Sequence, residues 1–72
     1  MSDVWYWNNE PSLVNLSKFV LMHIEKLGDR YIVWGKLPDT LTEIKIDKFT
    51  TKKQAEDFLK RTQELLNSYW RG

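Results

Sequence analysis

The most regular pattern of apolar and polar positions lies in the last third of the chain. Ala55, Phe58, Leu59, Thr62, Leu65, Leu66 and Tyr69 recur at spacings of three and four, which sets them in one stripe on a 3.6-residue helix. Lys52, Lys53, Glu56, Asp57, Lys60, Arg61, Gln63, Glu64 and Asn67 fill the other side. Thr51 followed by Gln54 reads as a capping box, in which hydroxyl and amide each meet an unpaired N–H of the first turn. Gly72 follows just after the stripe. A helix over 52–70 is predicted.

Upstream the period falls to two. Phe19 to Lys26, Arg30 to Leu37 and Leu41 to Phe49 are rich in β-branched and aromatic residues and read as strands. Gly28-Asp29 and Pro38-Asp39 stand between them as tight-turn signals. Leu13 to Leu16 extends the first of these strands backwards, as 13–26 with a bend near Ser17. Val4-Trp5-Tyr6-Trp7, within 3–7, reads as a further short strand ended by Asn8, Asn9 and Pro11. The expected fold class is therefore α+β, an antiparallel meander of three to four strands packed on one C-terminal helix, in one domain spanning 1–72.

Strand parity then assigns faces. Ile44 and Ile46 alternate with Glu43, Lys45 and Asp47, so the isoleucines should point inward. A two-residue turn at Pro38-Asp39 sets Val33 opposite Ile44 and Tyr31 opposite Ile46; a four-residue loop keeps the parity. A two-residue turn at Gly28-Asp29 pairs Ile24 with Val33. The face under the helix becomes Val20, Met22, Ile24, Tyr31, Val33, Ile44 and Ile46. The other face carries Phe19, Leu21, His23, Ile32 and Trp34, rimmed by Glu25, Lys36, Glu43 and Lys45. One helix cannot cover both faces, and a wetted second face should alternate apolar with polar. This one does so only in the last strand.

Composition narrows the choices. A chain of 72 residues has room for one core and is marginal in stability. With no cysteine and one histidine, His23, neither disulfides nor a structural metal is expected to help. Ten aromatics, four of them tryptophan, point instead to a dense core or a partner chain. Eleven basic against ten acidic residues leave a net charge of +1, too little to draw in polyanions from a distance. Neither an export signal nor a membrane-length apolar run is present, so a cytoplasmic location is expected.

Candidate chemistry is sparse. His23 lies opposite Trp34 in the predicted register, with no nucleophile or ligand set beside it. The pairs Glu25 with Asp29 and Asp39 with Glu43 are turn carboxylates, and no glycine loop suited to phosphate occurs. No catalytic residue, cofactor, metal or small-molecule substrate is implied, and the chain reads as non-enzymatic. Lys45, Lys48, Lys52 and Lys53 form the densest basic cluster and could track phosphates beside exposed rings. Glu43 and Asp47 on the same predicted face would nearly cancel that field.

The order strand, strand, strand, helix resembles that of small sheet-based single-strand-binding domains, a likeness of element order that does not fix function. The first reading is an interaction module of the accessory or inhibitor type. It would contact another protein chain, either a second copy or a larger partner, through Phe19, Leu21, Ile32 and Trp34, with Trp5 and Trp7 at the edge. Trp70 would cap the core or extend that surface. The alternative is a sheet-based binder of single-stranded nucleic acid through Lys45, Lys48, Lys52 and Lys53.

Overall fold

A computed structural model describes residues 3–38 and 42–71, the last three by backbone alone. The chain is α+β. Strands β1 (Trp5–Trp7) and β2 (Leu13–Asn15) form a two-stranded antiparallel sheet. Strands β3 (Leu21–Leu27), β4 (Arg30–Lys36) and β5 (Glu43–Phe49) form an antiparallel meander. Helix α1 (Lys52–Arg71) follows. Leu41, Asp39 and Gly72 lie outside the described residues, as do the side chains of Tyr69 and Trp70.

The helix begins where its capping box places it. Gln54 N–H donates to Thr51 Oγ1 at 3.2 Å, and Thr51 N–H donates back to Gln54 Oε1 at 3.3 Å. Thr50 adds its own N–H and hydroxyl to the same amide oxygen. Along the stripe Ala55, Thr62 and Leu66 are buried and Phe58 and Leu59 half-buried, whereas Leu65 is exposed. The buried stripe is thus narrower than its spacing predicted.

The Gly28-Asp29 turn sets the predicted register between β3 and β4. Ile24 faces Val33, and His23 faces Trp34. Gly28 has φ +61°, the left-handed geometry that a two-residue turn opening on glycine uses.

Two departures reorganise the rest. Residues 13–26 do not run as one strand: Leu16–Lys18 form a 3-10 helix, whose N-cap Asn15 accepts from Ser17 N–H at 3.1 Å. Leu13–Asn15 instead pairs with β1 (Trp5↔Asn15, Tyr6↔Val14, Trp7↔Leu13). The helical turn resets the alternation, so Phe19 enters the core while Val20, expected inside, is exposed. Phe19 fills the space over Gly35, where a Cβ would come within 2.6 Å of its ring and 2.8 Å of Ile46 Cδ1. No side chain fits at that position unless its neighbours move.

The second departure is a β-bulge in β5. Gly35 faces Ile44 and Trp34 faces Lys45, but Val33 faces Asp47 and Tyr31 faces Phe49. The expected pairs Val33 with Ile44 and Tyr31 with Ile46 do not form. The loop is even in length, yet Ile46 is an extra residue that inverts the parity beyond it. Ile46 and Asp47 therefore both point inward, and each is fully buried. Leu16, Phe19, Val33, Ile46 and Ala55 make the core, with Val4, Tyr6, Val14 and Phe58 packed on it. The β1–β2 hairpin and α1 cover the inner sheet face together.

Candidate functional site

The hairpin is held to the sheet by polar contacts that the bulge creates. Asp47, expected at the surface, accepts from the Tyr6 hydroxyl, from Asn9 N–H (3.2 Å) and Nδ2 (3.1 Å), and from Lys48 N–H (2.8 Å). A buried carboxylate is costly unless donors surround it, and here they do. Burial, and then the hydrogen bond and charge of Asp47, raise the Tyr6 phenol well above the usual tyrosine value. Asn8, also buried, donates from Nδ2 to Ile46 O at 2.6 Å. Its Oδ1 accepts from Glu10 N–H and Ser12 N–H at 3.0 and 2.7 Å. Glu10 reaches Lys45 Nζ at 2.7 Å, and this contact lowers its own pKa. The outer edge of β5 is thereby closed off by a loop, one of the ways proteins blunt a free strand.

With Tyr6 turned inward, period two turns its neighbours outward. Trp5 is 56% exposed, Trp7 65% and Leu13, opposite Trp7, 58%. Two indoles and a leucine thus share one open face of the hairpin. Backbone geometry adds to this. Leu16 N–H donates to Val4 O and Asn8 N–H to Ser12 O. In an antiparallel ladder every second residue points its N–H and C=O at the partner strand. Val4, Tyr6 and Asn8 aim at β2, so the N–H and C=O groups of Trp5 and Trp7 aim away from it.

The predicted contact residues are therefore divided. Trp5 and Trp7 stand together on the hairpin, which packs on the helix side of the sheet through Tyr6. Phe19 is core and Ile32 is buried, so neither lies at a surface. Leu21 is exposed and Trp34 half-buried on the opposite sheet face, where Trp34 Nε1 donates to Glu25 Oε1 at 3.1 Å. His23 Nε2 contacts Glu43 Oε1 there at 2.7 Å. Lys45 is held by Glu10, Lys48 shares that face, and Lys52 and Lys53 are exposed in the first turn of α1.

No family model, curated protein or solved structure matches this chain. Function must therefore be argued from its surface. Among the described residues no group of three or more metal-capable side chains converges, and no helix is long and apolar enough to cross a membrane. Leu13, Tyr6 and Asp47 are the residues that the sequence reading missed. Asn8-Asn9-Glu10-Pro11-Ser12 between two short apolar runs was the available hairpin signal.

Proposed function

We propose that the chain is a non-enzymatic protein-interaction module that associates with a second copy of itself through the open face and edge of β1. The observation that carries this reading is the joint exposure of Trp5, Trp7 and Leu13 beside backbone groups turned away from β2. Antiparallel pairing of two β1 strands about Tyr6 sets Trp5 of each copy opposite Trp7 of the other, a self-complementary arrangement. Cross-strand aromatic pairs stabilise such ladders. Indoles of about 150–250 Å² each, a little over half exposed and covered only where they meet across the pairing, make an interface of a few hundred Å², below the roughly 1,200 Å² of stable specific contacts. The dimer should therefore be weak and concentration-dependent. Sedimentation across a concentration series should show a monomer–dimer equilibrium that Trp5→Ser with Trp7→Ser abolishes without loss of helix content. A wild type that stays monomeric at millimolar concentration would contradict the reading.

The runner-up, a sheet-based binder of single-stranded nucleic acid, gains one observation. The bulge withdraws Asp47, leaving Lys45 and Lys48 on the outer face of β5 with Glu43 as that strand's acid there. Against it, Glu10 holds Lys45 and Glu25 engages the Trp34 indole. Tight, salt-sensitive oligonucleotide binding that quenches tryptophan fluorescence is the outcome that would rank it first.

A further inference from the structure

A groove of about 750 Å³ opens between the hairpin, the end of β5 and α1, within the roughly 300–1,000 Å³ common for small-ligand sites. Its floor is aromatic. Tyr6 lies on Phe58 with ring centroids 4.8 Å apart, and Phe58 on Phe49 at 5.5 Å. All three rings are only half-buried, so part of each faces the groove.

Its walls are basic. Arg30, Lys48 and Arg61 line the groove, with Asp57 as the one acidic lining residue. Over the whole chain bases nearly equal acids, eleven to ten, so this grouping is local. The side chain of Arg61 has no ion-pair partner among the described residues, whereas Lys48 borders the groove from the outer face of β5, where its charge helps lower the pKa of Glu10. Arg30 has only a 3.8 Å contact to Asp29, which is 94% exposed, and such surface pairs are worth little. Guanidinium groups without a strong ion-pair partner beside open rings suit an anion attached to a flat apolar body, since arginine grips phosphate and carboxylate by a two-pronged hydrogen bond.

We propose that this groove binds a small aromatic anion of nucleotide size, its ring against Phe49 and Phe58 and its anionic group held by Arg30 and Arg61. The site is separate from the Trp5–Trp7 face, and neither proposal depends on the other. Calorimetric titration with adenosine 5′-monophosphate, adenosine and inorganic phosphate supplies both parts of the ligand, the ring alone and the anion alone. The nucleotide should bind at least about tenfold more tightly than either fragment, and more weakly as salt rises. Arg61→Glu should weaken it by roughly tenfold or more, while Asp57→Asn should tighten it. Lys60→Glu, the same charge change on the adjacent residue outside the groove, should leave it unchanged. Circular dichroism of each variant checks that the helix is intact. Absence of nucleotide binding at 10 mM (about the weakest affinity worth the name), equal affinity for all three probes, or an equal effect of Arg61→Glu and Lys60→Glu would overturn the proposal.

Discussion

Tyr6 and Asp47 meet across 41 positions of sequence, and their contact decides which side of β1 faces out. A tyrosine between two tryptophans would not be chosen as the buried member by hydrophobicity alone. It is buried because its hydroxyl supplies a donor to a carboxylate that the bulge has carried inside, an advantage tyrosine has over phenylalanine in a core. Tyr6→Phe removes that donor and leaves Asp47 with Asn9 and Lys48 N–H. The expected cost is about 1–3 kcal/mol at neutral pH, the usual penalty for an under-satisfied buried polar group. The pH dependence has a definite sign. A phenol whose pKa is raised in the fold adds stability that is fully present below the ordinary tyrosine value of about 10 and is lost as pH rises beyond it. Denaturant melts from pH 8 to 11 should show wild type losing stability at the alkaline end more steeply than Tyr6→Phe. Parallel curves for the two proteins would contradict this account of Tyr6.

The helix and the β3–β4 hairpin were legible because each rests on local rules: apolar stripe, capping box and a glycine turn. The helix yields a direct comparison. Phe58 packs on Tyr6 and Phe49, while Asp57 is exposed. Phe58→Asp should cost on the order of 3 kcal/mol or more, lost ring packing adding to an uncompensated charge. Asp57→Ala should change thermal stability very little, and equal melting temperatures would show that the helix is turned the wrong way. β5 was legible only in half. Ile44 and Ile46 keep period two, but Phe49 falls three residues after Ile46, and both are inside. That odd spacing was the trace of the bulge, and reading through it put Asp47 on the surface. Likewise, a 3-10 helix of three residues is too short to leave a periodic signal, yet it moves Phe19 from the expected contact surface into the core.

In the whole molecule these two irregularities act together. The 3-10 helix frees Leu13–Asn15 to pair with β1, and the bulge provides the buried carboxylate and the carbonyl of Ile46 that anchor the resulting hairpin. The inner sheet face is then closed by hairpin and helix together. The apolar surface expected on the outer sheet face shrinks to Leu21 and Trp34, and the larger open apolar group moves to Trp5, Trp7 and Leu13. The surplus of tryptophan is plain in the sequence, but which indoles stay exposed depended on long-range pairings that no local pattern states. Amide hydrogen exchange at Trp5, Tyr6 and Trp7, followed over a range of protein concentrations, tests the proposed β1 edge most directly. In dilute solution Tyr6 N–H, which aims at β2, should be protected, and those of Trp5 and Trp7 should exchange freely. As concentration rises, Trp5 and Trp7 should become protected together. Exchange at Trp5 and Trp7 that stays fast at every concentration, or that is already slow in dilute monomer, would contradict a free β1 edge that pairs between copies.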